Sequence, residues 1–240
     1  FAFLGVNGAG KSTTIHILCG QLARDGGSVR VCGADPDEAP EQLRRSLGVV
    51  FQSSVLDQAL SVQENLRSRA ALYGIRGAAF SRRLAELTDL LELGELLRTP
   101  ARQLSLGQRM RCEIAAALLH EPKILFLDEP TIGLDAVSKA AVRGFIRTCN
   151  KERGTTVILT THDMQDIEAL AERILLIGRG RILLDGSLQE LMKRRDSRRR
   201  IAVEYAGGSF EECPGLVRLD SPGPDGASVQ GRAVFEVDTD

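Results

Sequence analysis

The fold of this 240-residue chain is decided by its opening stretch, FAFLGVNGAGKST, residues 1–13. Four apolar residues predict a buried strand, and a helix is predicted from about residue 12 to residue 19. Between them the sequence fits the pattern G-x-x-x-x-G-K-[ST], in which glycines let successive amide N–H groups point inward around an anion. The amino end of the helix adds a positive dipole. This pattern predicts a phosphate-binding loop made of Gly5, Val6, Asn7, Gly8, Ala9, Gly10, Lys11, Ser12 and Thr13.

Two polar side chains of this loop have predicted roles in binding a nucleoside triphosphate. The Lys11 ammonium can reach the β- and γ-phosphates, and the Ser12 hydroxyl can ligate the accompanying Mg²⁺. The alternative interpretation is a glycine-rich turn that holds a lysine by chance. The strand before the loop and the helix after it favour the phosphate loop, because that geometry needs both elements.

A second motif places two adjacent carboxylates after an apolar run. Residues 124–127 predict a strand of a parallel sheet covered on both faces, and Asp128 and Glu129 follow it. Ligands of such sheets bind at the carboxyl ends of the strands. Asp128 is therefore placed to hold Mg²⁺ through water, and Glu129 to orient or deprotonate an attacking water. Alone, this motif could be a strand that ends at the surface; with the phosphate loop, it indicates a P-loop nucleoside triphosphatase.

The remaining pattern predicts an α/β fold with a mostly parallel central sheet, because strand and helix signals alternate along the chain. Residues 61–97 differ, since apolar residues recur there only at helical spacing. Further helices are predicted at 107–119, 136–152, 164–171 and 187–195. Strands are predicted at 28–32, 47–51 and 155–160, as a hairpin at 173–177 and 181–184, and at 200–205, 216–219 and 229–237.

Composition excludes some classes of protein. The net charge is −1, and two Tyr with no Trp give little support for a nucleic-acid-binding surface. No apolar run approaches the roughly 18 residues that a membrane-spanning helix needs. The basic run at 193–200 is interpreted as a helix end and solvated linker, or alternatively as a contact for anionic lipid headgroups.

The cysteines point to a reduced, cytosolic compartment. They are odd in number and lack the spacing of a metal site, so they are predicted to be small core residues. They are Cys19, Cys32, Cys112, Cys149 and Cys213.

The segment Leu104-Ser105-Leu106-Gly107-Gln108 narrows the class further. It precedes a predicted helix and lies shortly before the strand that ends at Asp128, where the ABC ATPase family carries its signature, L-S-G-G-Q. The chain resembles this family over nearly all of residues 1–195. Leu106 replaces the first glycine of the signature. The serine and second glycine, which face the γ-phosphate in the family, are kept as Ser105 and Gly107. The structural alternative is an ordinary N-cap serine.

The resemblance implies roles for residues outside the phosphate loop. Gln52 resembles the Q-loop glutamine, which senses Mg²⁺ and the attacking water, and His162 resembles the switch histidine that contacts the γ-phosphate. Gly133-Leu134-Asp135 resembles the D-loop, which touches the opposite subunit. With ATP and Mg²⁺ as cofactors, the implied catalytic residues are Glu129, His162, Gln52 and Lys11. The implied metal-site residues are Ser12, Gln52 and Asp128, and the further nucleotide contacts are Ser105, Gly107, Gln108 and Asp135.

The family pattern also predicts the domain organisation. Residues 1–195 are expected to form the nucleotide-binding domain, with an all-helical subdomain at about 53–106, and residues 196–240 a small C-terminal β-rich appendage. The chain begins at the strand that precedes the phosphate loop. One or two N-terminal strands, and the aromatic residue that stacks on adenine in the family, are therefore expected upstream of residue 1.

The resemblance implies two partners, a transmembrane permease subunit and a second ATP-binding subunit that is identical or different. In the family two cassettes dimerise head to tail, so Ser105 and Gly107 would complete the partner's nucleotide site. The segment SVQENL at 61–66, with LYG at 72–74, resembles ATPases of bacterial drug, antibiotic and polysaccharide exporters. This predicts an exporter motor at the cytoplasmic face of a bacterial membrane, with no nucleic acid partner. The alternatives are a nutrient importer ATPase and a soluble ABC ATPase of translation or DNA repair.

Overall fold

A six-stranded sheet organises the first of the two units into which the chain divides, residues 1–188 and residues 189–240. The structure, a computed structural model, describes residues 1–193, 198–205, 216–218 and 231–238. The strands of this sheet are β1 (Ala2–Leu4), β2 (Leu47–Val50), β3 (Ile124–Asp128), β4 (Thr156–Thr160), β5 (Ile174–Gly178) and β6 (Arg181–Gly186).

Eight helices are found in the described part of the chain. They are α1 (Lys11–Leu18), α2 (Pro40–Ser46), α3 (Val62–Leu72), α4 (Gly77–Leu91), α5 (Leu106–Leu118), α6 (Ala136–Arg153), α7 (Met164–Leu170) and α8 (Leu188–Lys193). Two short 3₁₀ turns lie at Gly94–Leu96 and Ala101–Gln103. Within the described residues, no helix is both long enough and apolar enough to cross a membrane.

The predicted α/β fold with a mostly parallel sheet is confirmed. The strand order is β2-β3-β4-β1-β5-β6, with all neighbours parallel except the antiparallel pair β5 and β6. Successive side chains of β3 point to opposite faces, so Leu125 and Leu127 belong to one hydrophobic cluster and Phe126 to another. Apolar side chains cover both faces, which explains why the strands read as uniformly apolar runs.

The helical prediction for residues 61–97 is also confirmed by α3 and α4. Ser61 begins α3 with a capping box, in which its hydroxyl and the Glu64 side chain each accept the other residue's backbone N–H. Arg83 on α4 is buried and donates from Nε and Nη2 to Leu119 O and Leu118 O. The end of α5 is thereby fastened to α4.

The predicted strand at residues 28–32 is wrong. A single antiparallel bridge joins Val31 to Ala34, across a turn in which Cys32 and Gly33 have φ values of 51° and 82°. The alternating pattern at residues 28–32 therefore belongs to a segment that leads into a tight turn and not to a strand. The prediction of Cys32 as a core residue fails for the same reason, because the turn exposes its side chain.

The other described cysteines lie where the sequence predicts them. Cys19, Cys112 and Cys149 are buried. Burial raises the pKa of the Cys19 and Cys112 thiols to about 12, so both stay protonated and pack as small apolar groups. Cys213 falls outside the described residues.

The sequence pattern did not predict helix α2. Pro40 stands at the start of this helix, a position that favours proline because its N–H would be unpaired anyway. Only Leu43 of its seven residues is buried, so the helix carries almost no apolar periodicity.

The second unit contains a three-stranded antiparallel sheet. Its strands are β7 (Arg198–Tyr205), β8 (Leu216–Arg218) and β9 (Gly231–Asp238), in the order β7-β9-β8. The predicted strands at 200–205, 216–219 and 229–237 coincide with these elements. Residues 194–197, which include part of the basic run and the end of the last predicted helix, lie outside the described residues, as do 219, 229 and 230. The domain boundary at 195/196 and the limits of the helical subdomain stay predictions.

Gly48 in β2 is expected to tolerate no side chain. A Cβ there would lie 2.6 Å from Ala117 O, a backbone atom of α5 that cannot rotate away. We expect Gly48→Ala to lower the free energy of unfolding by about 1–3 kcal/mol, as overpacking does, measured by urea denaturation. Gly144→Ala on α6 is the control, since a Cβ there meets nothing within 4 Å, and it should stabilise by roughly 0.5–1 kcal/mol. An unchanged Gly48→Ala would contradict this packing.

Candidate active site

Four neighbouring strands bring the predicted site residues to one edge of the sheet. The strands β2, β3, β4 and β1 are adjacent and parallel, so their carboxyl ends meet at the same edge. Gln52 follows β2, Asp128 ends β3, His162 follows β4, and the phosphate loop follows β1. Open α/β sheets bind their ligands at such an edge.

The phosphate loop has the backbone of an anion nest. Gly8 and Gly10 have φ values of 79° and 105°, which side-chain-bearing residues rarely adopt. Gly10 caps α1 and accepts the N–H of Thr14. Ala9 N donates to Val6 O, and Ala9 O accepts from Gly180 N, which ties the loop to the turn between β5 and β6. The loop is therefore held by backbone contacts before any phosphate binds.

Lys11 is buried and folds back over its own loop. Its Nζ donates to Gly5 O at 2.7 Å and to Val6 O at 3.3 Å. Two neutral carbonyls thus hold the ammonium beside the nest. A triphosphate offers charged acceptors in their place, and charge-assisted hydrogen bonds are the stronger kind.

Ser12, Asp128 and Thr160 form a cluster of oxygen atoms. Ser12 Oγ lies 3.4 Å from Asp128 Oδ1 and 3.5 Å from Asp128 Oδ2. Thr160 Oγ1 donates to Asp128 Oδ1 at 2.6 Å and fixes the carboxylate. This oxygen-only set fits Mg²⁺, which is bound by few protein oxygens and keeps several waters. Sequence reasoning missed Thr160, although it ends a predicted strand at the same edge.

Glu129 is fixed by both its backbone and its side chain. Its N–H donates to Thr160 Oγ1 at 3.0 Å and to Thr160 O at 3.2 Å, and its φ of 52° is left-handed. Its Oε2 lies 2.9 Å from His162 Nδ1. An ionised carboxylate only accepts hydrogen bonds, so Nδ1 is the donor. The imidazole therefore orients the glutamate.

The cavity at this edge has a volume of about 200 Å³. Small-molecule sites usually measure about 300–1,000 Å³, so the space suits a phosphate chain with its metal better than a whole nucleotide. The residues that line it are Asn7, Gly8, Ala9, Gly10, Lys11, Ser12, Thr13, Gln52, Asp128 and Glu129.

Seven predicted site residues do not line this cavity: Gly5, Val6, Ser105, Gly107, Gln108, Asp135 and His162. Ser105 caps α5, since its Oγ accepts Gln108 N–H and Gln108 Oε1 accepts Ser105 N–H. Gly107 packs on Ser138, whose Oγ would lie 2.6 Å from a Cβ at Gly107. Asp135 caps α6, and the donors of Ser138 hold the pKa of this carboxyl below its usual value. Within a single chain, Ser105 is therefore the N-cap of α5, as the structural alternative predicts.

A buried aspartate fixes the segments on either side of the site. Asp166 on α7 is fully buried and accepts from Arg143 Nε at 2.7 Å. It also accepts from the hydroxyls of Thr131, which follows β3, and Thr161, which precedes His162. Sequence reasoning missed this cluster, because its members are too far apart in the chain to form a motif.

These contacts define the class of protein. A phosphate loop, an aspartate that ends a strand of the same sheet, and a glutamate held by a histidine are the arrangement predicted for a P-loop nucleoside triphosphatase of the ABC type. The sequence model of the ABC transporter family matches residues 1–132. The chain belongs to the ABC transporter family.

Its relatives include proteins named for drug resistance. The chain is 41% identical over 191 residues to the daunorubicin/doxorubicin resistance ATP-binding protein DrrA of Streptomyces peucetius, covering 80% of this chain and 58% of that protein. It is 34% identical over 252 residues to the doxorubicin resistance ATP-binding protein DrrA of Mycobacterium tuberculosis, covering 98% and 76%. With the probable multidrug ABC transporter ATP-binding protein YbhF of Escherichia coli, identity is 38% over 193 residues, covering 80% and 33%. The chain thus spans 58% and 33% of the length of DrrA from Streptomyces and of YbhF.

Solved structures of the same family share the fold. CbiO1 from Clostridium perfringens, part of the ABC transporter complex cbiONQ, superposes with a TM-score of 0.73 at 31% identity, covering 81% of this chain and 79% of that one. A dimeric ATP-binding cassette in a post-hydrolysis state, bound to ADP and Pi, superposes with a TM-score of 0.68 at 29% identity, covering 78% and 84%. The predicted ABC ATPase fold is confirmed.

Proposed function

We propose that this chain is the ATP-hydrolysing motor subunit of an ABC transporter that exports its substrate. One observation carries the ATPase proposal: the phosphate loop, the oxygen pair of Ser12 and Asp128, and the fixed Glu129 converge on one cavity. The export proposal is supported by relatives named for drug resistance and by the exporter-like segment at 61–66. A nutrient importer ATPase is the alternative.

In this proposal the phosphate chain of ATP is held mainly by the first helix and its loop. Lys11 exchanges the carbonyls of Gly5 and Val6 for the β- and γ-phosphate oxygens. Ser12 would bind Mg²⁺ directly and Asp128 through water. When bound, the metal neutralises charge on the phosphates.

Hydrolysis then depends on the carboxylate of Glu129. It orients the attacking water and accepts its proton while the bond between the β- and γ-phosphates breaks, giving ADP and phosphate. His162 keeps this carboxylate in place through Nδ1. Gln52 lines the same cavity, and in this proposal its amide would meet the attacking water and the solvent shell of the metal.

A second ATP-binding subunit completes the site in this proposal. Ser105 and Gly107 stand at the amino end of α5, where a helix dipole attracts anions, and a partner subunit's γ-phosphate would bind there. Three large apolar side chains beside this end are exposed, with relative exposures of 47% for Leu106, 47% for Ile132 and 81% for Val137. A subunit contact would bury this surface.

Complementation between two inactive variants tests the shared site. Ser105→Asp keeps a good N-cap but opposes the γ-phosphate, and Lys11→Met disables the phosphate loop. Each variant alone should be inactive. A one-to-one mixture should recover roughly a quarter of wild-type ATPase activity, since half of the dimers are mixed and each has one intact site. Absence of recovery would contradict a site shared by two copies of this chain.

The permease is proposed to dock over a larger cavity of about 600 Å³. Arg44, Arg45 and Arg69 line it together with Tyr73, and it also includes Phe51, the residue before Gln52. This lining suits a permease segment that carries acidic and apolar side chains, because charge complementarity favours such pairing. The chain would thereby attach to the cytoplasmic face of a bacterial membrane.

Two measurements test this function. Co-expression with the membrane protein encoded beside the gene should yield a stable complex, and the complex in vesicles should move substrate only with ATP and Mg²⁺. Chelation of Mg²⁺ should stop ATP turnover, because the phosphate charge is then uncompensated. A protein that turns over ATP but never associates with a membrane subunit would contradict the transport role and favour a soluble ABC ATPase.

A further inference from the structure

A buried glutamate of α5 binds the segment that follows Gln52. Glu113 is 5% exposed, and its Oε1 accepts three hydrogen bonds. The donors are the Ser54 hydroxyl, Val55 N–H at 2.9 Å and Leu56 N–H at 3.4 Å. A buried carboxylate persists only when such donors compensate for its lost hydration, so this contact fixes the segment firmly.

A second buried side chain holds the same segment from α3. Asn65 Oδ1 accepts Asp57 N–H at 2.7 Å, and its Nδ2 lies within hydrogen-bond distance of Asp57 O and Leu60 O. Residues 54–60 are therefore fastened to α3 and α5. The backbone groups of Val55, Leu56, Asp57 and Leu60 each form a hydrogen bond with a side chain of one of those helices.

The attachment begins close to the active site. Gln52 lines the phosphate cavity, while Ser54 is already bound to α5. Only Ser53 separates them. Consequently the position of α5, which also carries Ser105 and Gly107 at its amino end, limits where the Gln52 side chain can lie.

We propose that Glu113 is a positioning residue for ATP hydrolysis, which links α5 to Gln52 through residues 54–56. A displacement of α5, as when Ser105 meets a partner's γ-phosphate, is carried by the Glu113 carboxylate to the loop and so to Gln52. The inference rests on the proposed ATPase function. It adds a residue that touches neither nucleotide nor metal and acts through Gln52 alone.

Three variants separate this role from a purely structural one. Glu113→Met keeps the volume but removes the acceptor, and should lower kcat about tenfold with KM for ATP changed less than about twofold. Glu113→Gln keeps an Oε1 acceptor and should retain most of the activity. Ser54→Ala removes one donor at an exposed position and should lower kcat about threefold without affecting folding.

The decisive measurement is a double-mutant cycle with Gln52→Ala. If Glu113 acts through Gln52, then Glu113→Met or Ser54→Ala should lower kcat by less than about twofold in the Gln52→Ala background. Amide hydrogen exchange at Val55 and Leu56 should also speed up in Glu113→Met. If Glu113→Met does not fold, the Ser54→Ala cycle gives the answer.

Arg83→Met is the matched control. Arg83 is another buried charged residue of the helical region, and it holds the far end of α5 through Leu118 O and Leu119 O. Its loss should lower the melting temperature but leave kcat at low temperature within about twofold of wild type.

Two results would overturn the inference alone: unchanged kcat in Glu113→Met and Ser54→Ala, or an equal loss with and without Gln52. A wild-type protein that binds but never hydrolyses ATP would instead overturn the proposed function and this inference with it.

Discussion

Glu129→Gln is expected to stop ATP hydrolysis while ATP stays bound. Lys11, the nest and the Ser12–Asp128 pair are untouched, so affinity for the nucleotide should persist. Glutamine cannot accept the proton of the attacking water, and loss of a general base costs about 10²–10⁴ in rate. With the γ-phosphate kept in place, the variant should remain an ATP-bound dimer in size-exclusion chromatography, where the wild-type protein returns to monomer.

The matched control for that variant is Glu121→Gln. Glu121 has a φ of 53°, close to the 52° of Glu129, so both substitutions meet the same backbone conformation. Glu121 is exposed and pairs with Arg83, remote from the cavity lining. The Glu121→Gln variant should hydrolyse ATP at the wild-type rate. Undiminished turnover in Glu129→Gln would show that another group activates the water.

Lys11→Met is expected to weaken ATP binding strongly. Each hydrogen bond from a charged group contributes about 1.5–3 kcal/mol, so the dissociation constant should rise roughly 10- to 100-fold. Calorimetric titration with Mg²⁺ and a non-hydrolysable ATP analogue measures this change. Methionine has a similar length and keeps the apolar stem packed, so the loss reports on the ammonium alone.

Lys123→Met is the control for the lysine. Lys123 is exposed and immediately precedes β3, at the opposite edge of the sheet from the cavity. The Lys123→Met variant should bind the non-hydrolysable ATP analogue with wild-type affinity. If both lysine variants bind equally well, Lys11 does not contact the phosphates.

Most of the site could be predicted because its residues follow strands in short motifs. The phosphate loop, Asp128, Glu129 and His162 each lie within two residues of the end of a predicted strand, and parallel topology alone brings such positions together. The same reasoning could have identified Thr160, because it is the last residue of the strand predicted at 155–160.

What the sequence did not reveal depends on partners distant in the chain. Glu113 and Asp166 look like ordinary polar residues on helices. Most of their donors lie tens of residues away, since 59 residues separate Glu113 from Ser54 and 35 separate Asp166 from Thr131. The false strand at 28–32 has a related cause. Alternation describes one segment, whereas a strand also needs a neighbour to pair with.

The left-handed backbone of Glu129 means that the chain does not have its greatest possible stability at this position. A non-glycine residue in that conformation carries about 1–2 kcal/mol of strain, which a glycine would relieve. Selection for stability alone would therefore favour glycine at position 129, which removes the carboxylate. Laboratory selection for stability that does not measure turnover would favour the same change. Thr160 Oγ1 and Thr160 O both accept a hydrogen bond from the Glu129 amide, and these two bonds hold the backbone in its strained conformation.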